Sequence, residues 1–172
     1  MATLALVGVN QIQYGTPVGD GSQPTSYTGS FGTLVPDSVV LTFEETDKTD
    51  LFIEGQDAPY VTIPNPNRVR SLAFNTRDIS PDTLELVFGG SVATNKWSAP
   101  TSEGAIYYAI EATSKTYDTT YYTVEIPKAL VRASMDGKMY QTDTSEVRVV
   151  CEVQAVDNAG TPQPPIHISK TN

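Results

Sequence analysis

Residues 145–156 read SEVRVVCEVQAV, and this stretch decides the fold class. Apolar side chains stand at every second position, and most positions between them are polar. The apolar set is Val147, Val149, Cys151, Val153 and Ala155, and the polar set is Glu146, Arg148, Glu152 and Gln154. A period of two is that of a β-strand with one buried face, and a slip of one residue would expose the whole apolar set. The stretch therefore predicts a core strand.

The same period recurs on both sides of this stretch. It predicts strands over residues 4–14, 68–76, 104–113 and 119–126, and strands joined in long hairpins over residues 38–63. In the first of these hairpin strands Val39, Leu41 and Phe43 share a face. Part of the hairpin length is expected to project beyond the core. Between the predicted strands at residues 119–126 and 145–156, residues 127–135 permit a helical turn.

One segment has a helical pattern. Ser80 suits an N-cap, Pro81 suits the first helical position, and Asp82 suits the positive end of the helix dipole. Leu84, Val87 and Phe88 recur at three- and four-residue spacing. Because two glycines follow, the sequence predicts a helix of about two turns over residues 81–88.

The chain length and the lack of a recognisable domain boundary in the sequence indicate one domain over residues 1–172. Residues 15–33 are rich in Gly and Pro and predict a long loop or arm. Residues 157–172 contain three prolines and predict a tail or an edge. We therefore expect a mostly-β fold, a β-sandwich or a partly closed barrel, with one short flanking α-helix and long loops.

The sequence lacks the residues that most catalytic and metal sites need. His167, the only histidine, lies in the Pro-rich tail, and Cys151, the only cysteine, lies in an apolar alternation that favours a small buried hydrophobe. The acidic run at 44–57 lacks EF-hand spacing, which favours a solvated hairpin over a calcium site. We expect the N-terminal segment to be neither a signal peptide nor a membrane span. We expect no enzyme, no cofactor and no membrane association.

Net charge argues against nucleic acid as a ligand. The chain carries 20 acidic and 11 basic residues, a formal charge of −9. An acidic surface repels phosphate, whereas binding needs a basic patch. A wall along which nucleic acid slides without sticking is compatible with this charge.

Several features, in this order, resemble the tail tube (major tail) proteins of long-tailed bacteriophages. A first strand and a Gly/Pro-rich loop precede an acidic hairpin region containing EETDKTDLFIEGQDAPY. A strand then leads into a short helix that ends in Gly-Gly, in RSLAFNTRDISPDTLELVFGG, and Trp97-Ser98-Ala99-Pro100 follows. An aromatic strand pair closes the series. The resemblance covers roughly residues 4–156.

This resemblance implies a structural virion protein that assembles in the host cytoplasm into stacked hexameric rings. The rings would form a hollow tube that encloses a tape measure protein, meets a tail terminator and later conducts DNA without binding it specifically. Its inner strands would form a continuous barrel, and extended loops would reach neighbouring rings. The inner tube of a contractile injection system shares this fold.

The hairpin region offers a candidate subunit interface. Leu51, Phe52 and Ile53 are adjacent, so both faces of that strand are apolar. Either the strand is fully buried, or it is an assembly surface flanked by charge. The candidate interface residues are Leu51, Phe52, Ile53, Tyr60, Val61 and Ile63.

Four tyrosines suggest an alternative function. Tyr107-Tyr108 and Tyr121-Tyr122 lie on two predicted strands, so one member of each pair faces outward if the strands pair. Outward rings could stack on a sugar, in a carbohydrate-binding β-sandwich module on a virion or cell surface. Core packing with cross-strand aromatic pairs is the simpler interpretation, and a subunit interface is a third.

Overall fold

In the computed structural model of the chain, residues 8–44, 48–55, 57–64, 70–102, 104–116, 118–137 and 145–171 are described. These residues form mostly β-structure with one short helix, as expected. The strands are β1 Val9–Gly15, β2 Gly29–Ser30, β3 Val40–Phe43, β4 Lys48–Leu51, β5 Val61–Pro64, β6 Arg70–Thr76, β7 Ser91–Ala93, β8 Lys96–Ser98, β9 Ile106–Ser114, β10 Tyr121–Asp136, β11 Glu146–Val153, β12 Val156–Asn158, β13 Thr161–Gln163 and β14 His167–Thr171; the helix is α1 Pro81–Phe88.

Eight strands form one antiparallel sheet in the order β2-β1-β9-β10-β11-β6-β3, with β14 paired to the first part of β10. Three two-stranded sheets, β4-β5, β7-β8 and β12-β13, complete the described architecture. None of the sheets formed by the described residues closes into a barrel, so the arrangement is sandwich-like rather than barrel-like. The described residues contain no helix that combines the length and the apolar character needed to cross a bilayer.

The core lies on one side of the main sheet. Residues that pair across neighbouring strands point to the same side, and Val131, Cys151 and Leu72 form one such row. Ile12, Ala112 and Val124 form another. All six side chains are buried. The predicted inward set of β11 is therefore confirmed at Val147, Val149 and Cys151. Val153, the last residue of β11, is partly buried and packs against the same core. The prediction is wrong for Ala155, which is exposed, because β11 has ended and Val156 is buried instead.

The helix occurs where it was predicted. The Ser80 side chain accepts a hydrogen bond from the Thr83 backbone N–H at 3.3 Å, and Pro81 opens the first turn. Gly89 and Gly90 both have positive φ, which ends the helix. Trp97 Nε1 donates to the Gly89 carbonyl oxygen at 2.8 Å, so the hairpin β7-β8 is attached to the end of α1.

The helical turn expected at residues 127–135 is wrong. This segment continues β10, with β9 on one side and β11 on the other, and these two neighbours satisfy its backbone groups. Pro127 stands where the pairing with β9 shifts between Ile126 and Ala129, a position at which the missing N–H is tolerated. Alternation at Ala129, Val131 and Ala133 outweighed the weak helical preference.

Both segments expected as loop or tail contribute to the body. Within residues 15–33, Gly29 and Ser30 form β2, and Phe31 is fully buried. The Phe31 ring centroid lies 5.2 Å from that of Tyr14 and 5.1 Å from that of Phe74. Within residues 157–171, β14 pairs along β10 from Tyr121 to Glu125.

Candidate assembly surface

The hairpin β4-β5 carries most of the candidate interface. Its ladder pairs Lys48 with Pro64, Thr49 with Ile63, Asp50 with Thr62, and Leu51 with Val61. The Tyr60 N–H donates to the Leu51 carbonyl oxygen at 2.8 Å and extends the ladder towards the tip. Gly55, with φ of 85°, lies in the turn and supplies the left-handed conformation that the reversal requires.

The register gives this hairpin two unlike faces. Because side chains alternate along a strand, Thr49, Leu51, Val61 and Ile63 share one face. The opposite face consists of the two pairs Lys48–Pro64 and Asp50–Thr62. The hairpin is therefore amphipathic.

The apolar residues of the hairpin are in solvent. Leu51, Phe52, Ile53, Tyr60, Val61 and Ile63 are each between 40% and 68% exposed. The fully buried strand that the sequence also allowed is therefore wrong for the single chain. The other hypothesis, that these side chains become buried when the chain assembles, is compatible with their exposure.

The polar face carries two charged side chains, Lys48 and Asp50, which contact each other. Thr62 Oγ1 donates to Asp50 Oδ1 at 2.6 Å, and Lys48 Nζ lies 3.1 Å from Asp50 Oδ2. The hydrogen bond from Thr62, followed by the contact with Lys48, holds the pKa of Asp50 below its ordinary value. The carboxylate thus stays ionised, and the polar face favours solvent.

Two further exposed apolar residues lie on β3, just before the hairpin. Val40 is 54% exposed and Phe43 is 49% exposed. Among the described strands β3 pairs only with β6, so its other edge is open. The sequence interpretation placed Phe43 on the face of Leu41 and did not include Val40. The continuous run Val39-Val40-Leu41 was the available signal, since a half-buried strand would place a polar residue in the middle.

The four tyrosines do not form one platform. The strands β9 and β10 pair, but Tyr107 stands opposite Leu130 near one end of the ladder. Tyr121 stands opposite Thr171 in the β10-β14 ladder, ahead of Thr123, the first residue of β10 that pairs with β9. Tyr108 packs against Tyr14 with ring centroids 5.2 Å apart, and Lys128 Nζ lies 4.8 Å from the Tyr107 ring centroid. The core-packing interpretation is confirmed for Tyr108.

An acidic pair crosses the outer side of the main sheet. Glu111 and Glu125 are directly opposite each other, flanked in the same row by Gln13 and His167. Burial, followed by the charge of Glu125, raises the pKa of Glu111, while a hydrogen bond with Tyr27 acts in the other direction. Burial and the two carboxylates raise the pKa of Tyr27. Like charges directly opposite each other cost stability.

The remaining reactive side chains are Cys151 and the residue types that hold metal ions. Cys151 is fully buried, and burial raises the pKa of its thiol to about 12, which confirms the expected small hydrophobe. Nowhere in the part of the chain that the structure describes do three or more His, Cys, Asp or Glu residues form a group that could hold a metal ion.

No protein-family model and no curated protein matches the chain.

Proposed function

We propose that the protein is a self-assembling structural subunit that forms stacked hexameric rings, the hollow tube of a bacteriophage tail. The observation that carries this proposal is the amphipathic hairpin β4-β5 with its exposed apolar face. Contiguous exposed apolar surface of this kind marks interaction sites on soluble proteins.

The energetics of the hairpin support a partner surface. The strands β4 and β5 pair with each other as a separate two-stranded sheet. An isolated hairpin is at best marginally stable in water, because its few contacts barely offset the ordering of the chain. Docking of Leu51, Val61 and Ile63 against another subunit would supply the missing burial.

The open edge of β3 supports sheet extension between subunits. The backbone groups on the side of β3 that pairs with no described strand form a template for another strand, and the exposed apolar residues of β3 are Val40 and Phe43. Because β3 directly precedes the hairpin, one stretch of chain offers two kinds of contact. Lateral pairing at the edge would join subunits within a ring, and the hairpin would join rings.

Charge supports the conducting role. A subunit charge of −9 is repeated in every copy, so a tube wall built from these subunits repels DNA and lets it pass without retention. The further partners in this proposal are the tape measure protein inside the tube and the tail terminator at its end. The location is the virion, after assembly in the host cytoplasm, and the role needs neither catalysis nor a cofactor.

The carbohydrate-binding alternative has less support. A stacking platform needs aromatic rings side by side. The outward Tyr107 lies near one end of the β9-β10 ladder, whereas Tyr121 lies beyond the other end, where β10 pairs with β14. No other described feature favours a sugar site.

The test is the substitution Phe52→Asp in the purified full chain, followed by sedimentation velocity. Phe52 is 61% exposed, so the variant is expected to fold like the wild type, with unchanged circular dichroism. We expect it to remain monomeric at concentrations at which the wild type forms large assemblies. The matched control, Phe52→Leu, keeps an apolar side chain and should still assemble. Assembly of the Asp variant at wild-type level would overturn the interface assignment.

A further inference from the structure

The outer side of the main sheet carries an apolar row that begins at β3. Val40, Ala73 and Val150 stand side by side on β3, β6 and β11, and the row ends at β10 in Arg132. The next residue along β6, Leu72, belongs to the core, so this row points away from the core. Val40 is 54% exposed, and Ala73 and Val150 are partly exposed. The row is therefore apolar surface that solvent reaches.

A shallow groove follows β6 on this side of the sheet. Ser71 and Ala73 of β6 are small, and larger side chains of β3 and β11, among them Thr42 and Val150, line the groove beside them. Its volume is about 360 Å³. Neighbouring strands lie about 4.8 Å apart, so about 10 Å separate β3 from β11. A ridge of apolar side chains from another β-hairpin fits this spacing.

The charges of this surface leave one arginine in excess. Arg132 Nη2 lies 2.8 Å from Glu152 Oε1. Arg77 Nη2 lies 3.3 Å from Glu146 Oε1. Arg148 stands on β11 between these two glutamates, is exposed, and forms no ion pair with any residue that the structure describes. On a chain of net charge −9, the groove thus presents a positive charge that a carboxylate from a partner would pair.

The β4-β5 hairpin has the complementary features. Its apolar face contains Leu51, Val61 and Ile63. Its tip carries Glu54 and Asp57, which are exposed and form no ion pair within the described part of the chain. Laid on the groove, the hairpin would stack one sheet face on another at the usual spacing of about 10 Å. Apolar surface would be buried on both sides, and the acidic tip would meet a cation.

We propose that the hairpin of one copy docks face to face on the outer side of the main sheet of a second copy, over the groove along β6, with its acidic tip at Arg148. In the single chain Leu51 is 48% exposed and Val40 is 54% exposed, so the hairpin does not cover the groove of its own chain. Hairpin and groove are different patches of one chain, so the contact is heterologous and adds copies in series. This inference rests on the proposed function, because it identifies the surface that receives the hairpin.

Charge reversal at the groove is the first test. Arg148 is exposed, so Arg148→Glu should fold with unchanged circular dichroism. The concentration at which half of the protein assembles, measured by light scattering, should rise roughly tenfold or more, because attraction across the contact becomes repulsion. Lys96→Glu on the β7-β8 hairpin changes the net charge equally at an exposed site and should assemble normally.

Two outcomes of this test contradict different claims. Normal assembly of Arg148→Glu beside an assembling wild type would overturn the docking inference and leave the proposed function standing. Absence of assembly by the wild type would contradict the proposed function and the inference together.

Charge reversal on the hairpin is the second test. Glu54→Arg with Asp57→Arg should weaken assembly, because two cations then face Arg148. Combining both substitutions with Arg148→Glu should restore most of the lost assembly, since opposite charges meet again across the contact. A triple variant that assembles no better than Arg148→Glu alone would show that these charges do not meet, which overturns the inference.

Disulfide trapping identifies the occupant of the groove. Chains carrying Phe52→Cys, mixed with chains carrying Val150→Cys, should form a cross-linked pair under mild oxidation. Thr161→Cys in place of Val150→Cys should give none, and the fully buried Cys151 should not compete. One chain carrying both Phe52→Cys and Val150→Cys should stay open below the assembly concentration. Closure within that chain would assign the groove to its own hairpin, and no cross-link in an assembling mixture would assign it to another partner. Either result contradicts the inference.

Discussion

Leu51 and Val61 stand directly opposite each other in the last pair of the β4-β5 ladder, and they remain 48% and 40% exposed. A cross-strand apolar pair normally packs against a core, because leaving its apolar surface in water is unfavourable. Here the pair belongs to a two-stranded sheet with charged residues on its opposite face. This arrangement is the basis of the proposed assembly surface.

The double variant Leu51→Asp with Val61→Asp tests whether this face is the contact. The two new carboxylates stand opposite each other on an exposed hairpin, and such a like-charge pair costs roughly 0.2–1 kcal/mol, so the monomer should melt slightly below the wild type while the body of the protein stays folded. Assembly should be abolished, because desolvating two carboxylates in a contact costs more than the contact gains. Light scattering across a concentration series measures this. The control is Thr161→Asp, which adds a carboxylate to an exposed position of the β12-β13 hairpin and should assemble normally. Unimpaired assembly of the double variant would rule out this face.

Phe31 tests the structural role of the segment at residues 15–33. It is fully buried between Tyr14 and Phe74, so Phe31→Ala should destabilise the protein by about 3–5 kcal/mol through lost burial and a residual cavity. Urea unfolding measures the change. Val18→Ala, in the same segment at a 36% exposed side chain, should cost far less. Similar costs for the two variants would mean that this segment does not hold the core.

Ala substitutions at the neighbouring Gly89 and Gly90 distinguish the cost of an unfavourable backbone conformation from the cost of a steric clash. A Cβ at Gly90 would collide with the Ser98 carbonyl oxygen, whereas at Gly89 the nearest atom would be Ile106 Cδ1 at 3.6 Å. Both residues have positive φ, so each Ala variant carries a conformational cost of about 1–3 kcal/mol. Gly90→Ala should exceed Gly89→Ala in thermal destabilisation, because the β7-β8 hairpin must also shift. Equal losses would contradict the close approach of these two elements.

The opposed carboxylates Glu111 and Glu125 predict a pH dependence. The pKa of Glu111 is raised in the folded state, so the fold favours its protonated form. Its contribution to stability is therefore greatest below the unfolded pKa of about 4.3 and is lost as the pH rises through the folded pKa. Glu111→Gln should stabilise the protein at pH 7 by roughly 0.2–1 kcal/mol, with no gain near pH 3.

Melting curves across this pH range, recorded on the monomer, measure the effect. Glu85→Gln, which removes an exposed carboxylate from α1, controls for the change in net charge. A Glu111→Gln gain that stays constant down to pH 3 would show that ionisation of Glu111 is not its source.

Local patterns were sufficient for the elements with one strong signal. The alternation around Val149 predicted β11, and the Ser80-Pro81 start with the Gly89-Gly90 end predicted α1, because each depends on neighbours in sequence. The extension of β10 through Pro127 was not readable locally. Its backbone groups are satisfied by β9 and β11, which are distant in sequence. The burial of Phe31 likewise depends on Tyr14 and Phe74 meeting it in three dimensions.

The sequence predicted which residues form the candidate assembly surface, but it did not predict that their side chains are exposed to solvent. The run Leu51-Phe52-Ile53 indicated two apolar faces, but a buried strand and an assembly surface share that pattern. Pairing of β4 with β5 as a separate sheet is what leaves these side chains in solvent. Period-two alternation assigns the apolar face of β3 to Val39, Leu41 and Phe43 and so does not select Val40. Val40 is exposed on a strand that pairs on one side only among the described strands.

Negative-stain electron microscopy of the purified wild-type chain tests the central claim most directly. Self-assembly through the hairpin and the β3 edge predicts rings with a central hole, with six-fold symmetry in class averages, and stacks of such rings at higher concentration. Addition of a tail-tip preparation as initiator extends the test to subunits that polymerise only from a template. Particles that stay monomeric at high concentration, with and without the initiator, would contradict the proposed function.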